Sequence, residues 1–544
     1  MSIRRSESFV RGALMLSVAA LVSRLLGAFY KPAIARIFAP FDGHNGAVGI
    51  GLTQVPLTVY QVVLSFTSVG LNVGISRLVA ERMAVSDVRG ARRVFRFSLL
   101  LMAVIGFVGS VALWFGAPAL AALISESAAE TVPGFRAMAP AIFLTSVLAA
   151  YRGLFQGLQS MSPNAMSQIV EQIVRVGAGL LLTAWMVQRS VALGAAGFNF
   201  GDVIGAGIAL LYLLYLARGR QASLWESESA SALEAPQVRP AWANETPWEL
   251  TKRIFSVAGP ITIVGAVVPL MMLADTFFVF RALGAQGLPK DEIQAAYGYL
   301  TNVFMIVNLP GVFTQALYTS ILPAITTAIT LREFGVAKER AAQAYRMTFL
   351  LALPAQAGLW ALAAGIYSLI YGDLVGAHLL QTIAWATVPI MLQQTTSGIL
   401  QGMGQIGLPV RNFMIGAVLK VILTAVLTRY YGVEGAAWAT VVGFAVAAIL
   451  NLYHVDRHLG RTFRLGSMLL RPGLAAVLMA ATILGLKVWL PQRALFTLLL
   501  VAVGGLVYGL SLLVTGGLRR KDLEALPKVG RPLAGLLERT RLLR

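Results

Sequence analysis

Apolar residues run along this chain in blocks too continuous to alternate. The stretch FSLLLMAVIGFVGSVALWFGA, residues 97–117, carries no charge and no period of two. Strands of a barrel would alternate at every second residue, so such blocks predict helices. A crossing needs about 20 apolar residues, and the bilayer core leaves no water to satisfy an unpaired backbone group. Blocks of this kind recur from end to end. They predict fourteen spans, at about 10–38, 49–80, 94–118, 137–158, 164–186, 196–216, 254–283, 295–330, 346–371, 378–402, 410–430, 435–455, 468–490 and 494–515. The expected class is an all-α polytopic membrane protein.

Composition agrees with the pattern. Of 544 residues 57% are hydrophobic and only 12% charged, about half the charged share of a soluble domain. The mean hydropathy is +0.74. The net charge of +20 would suggest nucleic acid in a soluble protein. Here the positive charges sit mostly between apolar blocks, and topology explains them better. Most of the 44 Lys and Arg fall at the N-terminus, in 81–96, 217–253, 331–346, 403–411 and 456–471, and in the tail. These segments share one side, so both termini are expected in the cytoplasm. The opposite linkers hold few cations, such as Arg136, Arg189, Lys290 and Arg493. The chain has no cysteine, which excludes disulfides and thiolate metal sites. The basic, apolar start would fit a signal peptide, but the apolar stretch continues to about Ala39 without a convincing cleavage site.

The longest polar linker, 217–253, reads as a cytoplasmic connector between two halves. The halves resemble each other. RGLFQGLQSM at 152–161 aligns with SGILQGMGQI at 397–406, and VFRFSLLL at 94–101 with AYRMTFLL at 344–351. Similar offsets from separate places indicate an internal duplication. The expected organisation is a six-helix lobe at 1–216, the linker at 217–253, and a second six-helix lobe at 254–455. An extra helix pair at 456–515 and a basic cytoplasmic tail at 516–544 follow. An even number of spans per unit makes the repeats parallel, related by a pseudo-two-fold axis along the membrane normal.

The polar residues inside the spans are the candidate chemistry. Asn164, Gln168, Glu171, Gln172 and Arg175 lie on one helix face. Such a face looks at a water-filled cavity or at bundle partners, not at lipid. A Glu171–Arg175 pair at i,i+4 and Gln-mediated helix packing form the structural alternative. The 245-residue offset places Phe413, Gly416, Ala417 and Lys420 opposite Gln168, Glu171, Gln172 and Arg175, so the repeat itself does not demand the stripe. Ser17, Arg24 and Lys31 share a stripe on the first span. Arg24 lies deep in that span and needs a partner, water or an anionic ligand. Asp275 and Asp202 are its candidate partners, and either could serve as a coupling-ion site. Lys31 and Arg36 could instead snorkel to an interface. Arg binds phosphate bidentately, while Gln and Asn suit sugar hydroxyls and amides. Together these residues read as a site for a large, anionic, sugar-bearing substrate.

Other chemistry is not indicated. No GxxxxGK[ST] loop is present, and no nucleophile arrangement stands out, so no enzyme and no cofactor are expected. His454 and His458 are spaced i,i+4 but lack a third ligand, and read as a solvated helix end. The glycines of GAVGIGL at 46–52 sit at a span entrance rather than in a strand-to-helix turn.

SRLLGAFYKPAIARIF (23–38), FTSVGLNVGISRLVAER (66–82) and RGLFQGLQSMSPNAMSQIVEQIVR (152–175) resemble the SpoVB-like polysaccharide-biosynthesis family of Gram-positive bacteria. That family includes the MurJ-type lipid II flippases and belongs to the multidrug/oligosaccharidyl-lipid/polysaccharide exporter superfamily. The resemblance covers about 8–515. It implies two six-helix lobes around a V-shaped cavity, and a C-terminal pair that offers a groove for a lipid tail. The implied substrate is an undecaprenyl-diphosphate-linked peptidoglycan precursor, with cavity arginines on the diphosphate. The SRLLG arginine matches Arg24, and the next family arginine falls on Tyr30 with Lys31 adjacent. Family arginines of the second and eighth spans have no match in QVPLTVYQVVLSF (54–66) or TNVFMIVNLPGVF (301–313). The expectation is therefore a monomeric flippase of the bacterial cell membrane, with lipid II as first substrate and substrate contacts from Arg24, Lys31, Gln168, Glu171, Gln172 and Arg175. Its partners would be membrane lipids and cell-wall synthesis proteins, not nucleic acid. Another lipid-linked glycan is the alternative, and a multidrug/cation antiporter is a third reading, disfavoured by the cationic site and the extra helix pair.

Overall fold

The computed structural model describes residues 30–85, 87–125, 127–226, 245–463, 466–490 and 494–517. Among these residues every regular element is helical. Among the described residues eleven helices are long and apolar enough to cross a membrane, or twelve if one sharply bent pair counts as a crossing. The chain is a multi-pass membrane protein. It divides into two compact units, Met1–Gly298 and Tyr299–Arg544.

The first unit contains α1 (30–42), α2 (Ala47–Leu64), α3 (Gly70–Ala84), α4 (Val88–Ile124), α5 (Ala128–Gly157), α6 (Met161–Met186), α7 (Val191–Glu226) and α8 (Pro247–Ala285). It ends within α9 (Lys290–Asn308). The expected first span, 10–38, lies largely outside the described residues, and Arg24 with it. A π-helical segment, Ser65–Val69, joins α2 to α3. Ser65 Oγ there bonds the Gln61 carbonyl at 2.8 Å, the kind of local competition that loosens a helical ladder. The unit's core packs Leu71 and Ile75 of α3 against Phe95 of α4, Tyr151 and Phe155 of α5, and Leu213 of α7.

Helix α8 joins this core through Leu250 and Ile254. Two features explain the attachment. Gly70 lies so near α8 that a Cβ there would stand 2.4 Å from the Ala258 carbonyl oxygen. A charge network then fastens the start of α8. Glu245 receives Arg82 at 2.5 Å and Arg253 at 2.7 Å, and Arg253 also reaches Glu81 at 2.6 Å. Thr246 caps α8 in a reciprocal box with Glu249. The Thr246 N–H and hydroxyl hold the Glu249 carboxyl below its usual value. Residues 227–244 of the expected connector lie outside the described residues. Arg82 is buried, so removing Glu245 takes a short ion pair from an interior charge. Glu245→Ala is therefore expected to cost about 3 kcal/mol, read as a lower melting midpoint in detergent, with Glu245→Asp intermediate.

The second unit contains the end of α9, α10 (Gly311–Thr330), α11 (Phe334–Ala361), α12 (Ala363–Tyr371), α13 (Ala377–Ile383), α14 (Thr387–Gly402), α15 (Gly407–Tyr431), α16 (Val433–Leu459), α17 (Arg471–Lys487) and α18 (Ala494–Val514). The expected span at 295–330 is broken between α9 and α10. Pro310 has no N–H to donate and disfavours the helical conformation at Leu309. The expected span at 346–371 bends by 80° between α11 and α12. Tyr345 and Phe349 of α11 pack with Ile399 of α14 and Val455 of α16. On another side of α11, Met347 and Leu350 meet Met479 and Ile483 of α17 and Leu500 of α18. The C-terminal pair is thus docked on α11.

Candidate functional site

The polar window of 151–175 folds as a helical hairpin. Helix α5 stops at Gly157, and Gln159 takes a left-handed φ of 55°. The turn brings the end of α5 back along the start of α6, so residues roughly equidistant from it face each other. Arg152 Nε donates to Ser167 Oγ at 3.0 Å, and its Nη2 meets the Glu171 carboxylate at 2.5 Å. Ser167 is itself tied to the Asn164 carbonyl at 2.8 Å, and Gln168 Nε2 reaches Asn164 Oδ1 at 3.4 Å.

A second hairpin supplies the other ion pair. The turn at 187–190 places Asp202 of α7 against Arg175 of α6, with Nη1 3.1 Å from Oδ1. The Asp202 side chain is 6% exposed and that of Arg175 21%. Arg175 lies 5.9 Å from the Tyr30 ring centroid. Tyr30 stacks on Phe198 at 4.9 Å, and its hydroxyl accepts from Gln54 Nε2 at 3.1 Å. Arg175 Nε is buried and makes no hydrogen bond.

Glycines let α6 and α7 approach this closely. A Cβ on Gly201 would lie 2.6 Å from the Arg175 carbonyl oxygen, and one on Gly205 2.8 Å from that of Glu171. Small residues at such contacts let membrane helices pack backbone to backbone.

These contacts sort the candidates. Glu171 and Arg175 do not pair with each other at i,i+4: each takes a partner across a hairpin. Asp202 is the partner of Arg175. Lys31 is buried on α1, next to Tyr30. Gln172 is half-buried on α6. Asp275 is half-buried on α8, beside Thr276, whose hydroxyl is 2.6 Å from that of Tyr297. Arg24 lies outside the described residues. Arg152, Tyr30 and Gln54 were not among the expected site residues. Arg152 stood in the same polar window, and its distance from the turn was the available signal.

The second unit repeats the hairpin with different chemistry. A Cβ on Gly443 would meet the Gly416 carbonyl oxygen at 2.8 Å and Lys420 Cβ at 2.6 Å. Gly205 stands in the same relation to Glu171 and Arg175, the residues 245 positions before Gly416 and Lys420, although Gly443 itself lies 238 positions after Gly205. Lys420 thus occupies the place of Arg175 and is 3% exposed. The Arg152–Ser167–Glu171 group is replaced by a neutral one. Asn451 Nδ2 donates to Thr396 and Ser397 at 3.1 Å, and its Oδ1 accepts from Asn412 at 2.9 Å.

His454 corrects the reading of a solvated helix end, because it is buried beside this network. Arg411 can only donate, so its 2.9 Å contact makes Nε2 the acceptor and leaves the ring proton on Nδ1. That proton goes to the Leu450 carbonyl at 2.7 Å. His458 is exposed, and its Nδ1 lies 2.7 Å from the His454 carbonyl. His454→Ala is expected to cost about 1–3 kcal/mol by stranding its partners. Thermal unfolding in detergent checks it, with His458→Ala close to wild type.

Among the described residues no cluster of three or more His, Asp or Glu could hold a metal ion. The candidate residues form a set of fixed cations and amides on membrane helices. The fold has counterparts among solved membrane transport proteins. It matches a lipid II flippase MurJ in an inward closed conformation with a TM-score of 0.70 at 16% identity, covering 92% of this chain and 98% of that one. It also matches an inward-facing multidrug resistance transporter of the MATE family, with a TM-score of 0.62 at 17% identity, over 83% and 98% of the two chains. The chain belongs to the polysaccharide biosynthesis protein family, whose model matches residues 9–337. The MatE family model matches residues 260–426. Two similar proteins come from Bacillus subtilis (strain 168). The lipid II flippase MurJ is 26% identical, covering 92% of this chain and 94% of its own length. Stage V sporulation protein B is 25% identical, over 96% and 99%. The two MurJ proteins are lipid II flippases and the MATE protein is a transporter.

Proposed function

We propose that this protein is a flippase that carries an undecaprenyl-diphosphate-linked cell-wall precursor, lipid II in the first place, from the inner to the outer leaflet by alternating access. The observation that carries the reading is Arg175. It is a partly exposed cation on a membrane helix, held by Asp202 and flanked by a row of amides and hydroxyls. Phosphate oxygens are ligands that a guanidinium can hold bidentately. The family and the flippases within it agree with that reading.

Arg175 and Gln172 would contact the head group, with Arg24 and Lys31 from the first helix. Gln168 and Glu171 would serve sugar or peptide groups, and the Arg152 pair holds Glu171 in place. Asp202 would position Arg175, and Asp275 is the candidate coupling residue. The protein would work in the bacterial cell membrane with both termini in the cytoplasm, as a monomer, in contact with wall-synthesis proteins. Its lobes would be 1–216 and 254–455, with the 456–515 pair offering the lipid-tail groove. No covalent step and no cofactor are involved.

The second reading is export of another lipid-linked polysaccharide unit, for which the same site would serve. Complementation separates the two. A Gram-positive host depleted of its resident lipid II flippases is expected to grow when this chain is expressed and to fail with Arg24→Ala. No rescue by a well-expressed wild type would move the assignment to another lipid-linked glycan.

A further inference from the structure

Helix α4 is 37 residues long, about 55 Å, and so outruns the roughly 30 Å hydrocarbon core of a bilayer. One face of it changes character abruptly along its length. Arg89, Arg92, Arg93 and Arg96 occupy its first two turns at helical spacing. The same face then continues through Leu100, Val104, Phe107, Val108 and Phe115, all exposed, the last at 76%. At the change lies a recess of about 400 Å³, lined by the four arginines together with Phe97 and Leu100. Arg93 uses one Nη2 bond on the Glu245 carbonyl at 3.0 Å and keeps its other donors.

We infer that this recess is a binding site for the phosphate head group of an anionic membrane phospholipid, separate from the Arg175 site, with an acyl chain lying along the apolar face of α4. The arginines supply charge-assisted donors matched to phosphate oxygens. Topology alone asks for positive charge near a helix end; it does not ask for four cations on one helix face around an open recess that also holds Phe97 and Leu100. A ligand that fills the recess must join phosphate to hydrocarbon, and exposed apolar residues beyond it give the hydrocarbon a path. Nucleic acid would meet that apolar face with nothing to bind it. The assignment does not rest on the transport reading.

The test titrates the purified full chain with phosphatidylglycerol and with phosphatidylcholine of the same acyl chains, read by native mass spectrometry. Wild type is expected to prefer phosphatidylglycerol by about tenfold or more, given the pull of each basic residue near a charged surface. The Arg89→Gln/Arg92→Gln/Arg96→Gln variant is expected to lose that preference. Arg457→Gln/Arg461→Gln, at a different basic segment, is expected to keep it. Should the triple variant fail to insert, Arg96→Glu alone is expected to weaken phosphatidylglycerol several-fold, since Arg96 is exposed. Equal binding of the two lipids, an unchanged preference in the α4 variants, or an equal loss in the control pair would overturn the site. Full displacement by about 10 mM inorganic phosphate would overturn the lipid assignment in favour of a free anion.

Discussion

Arg175→Ala is expected to abolish complementation and to destabilise the protein by about 3–5 kcal/mol, because it leaves the buried Asp202 carboxylate without its partner. Loss of function alone would thus be ambiguous, and the pair must be removed together. Arg175→Met/Asp202→Leu replaces two charges by apolar groups of similar size. Such replacements of buried pairs are often neutral or stabilising. The double variant is expected to regain most of the lost stability and still fail to transport, since the guanidinium proposed to meet the diphosphate is gone. Asp202→Asn should fall between, with Arg175 kept but less firmly held. Detergent melting midpoints and membrane levels measure the stability side, and a double-mutant cycle extracts the coupling. A double variant that supports growth as wild type does would make the pair structural.

Gly201→Leu should have the next largest effect. The added Cβ would stand 2.6 Å from the Arg175 carbonyl oxygen and 2.8 Å from Gly179 Cα. Both are backbone atoms of α6 and cannot swing aside, so α6 and α7 must part. Overpacking of this kind costs about 1–3 kcal/mol, and more when backbone blocks relaxation. Parting the helices also stretches the Arg175–Asp202 bridge, so folding and transport should fail together. Gly177→Leu on α6 is the control, because nothing lies within 4 Å of a Cβ there. Expression yield and gel-filtration profile in detergent check both. A Gly201→Leu protein that folds and works normally would show that α6 and α7 do not need their close approach.

The helices were legible because an apolar block in a bilayer has no other solution. Their interruptions were less so. Pro310 was visible in sequence, yet the apolar pattern runs straight across it, and composition does not register a missing N–H. The bend between Ala361 and Ala363 falls within an apolar stretch that gives no polar punctuation. For the site, the stripe on α6 was legible from helical spacing, but its partners were not. Spacing within one helix suggested Glu171 with Arg175. The structure sends Glu171 to Arg152 and Arg175 to Asp202, because pairing across a hairpin depends on where each turn falls. The same limit applied to His454: a histidine near a helix end reads as solvated until Arg411 and Asn412 of the neighbouring helix are brought beside it.

Transport itself is tested most directly in vesicles. The purified protein is reconstituted with a fluorescent undecaprenyl-diphosphate-linked muropeptide, and the label reaching the opposite leaflet is read by its accessibility to an impermeant quencher. Wild type is expected to move the lipid well above the rate of protein-free vesicles, and a folded Arg175→Met/Asp202→Leu protein to match the protein-free rate. A folded, correctly inserted wild type that moves no more lipid than empty vesicles, with and without a membrane potential, would contradict the flippase assignment for this substrate.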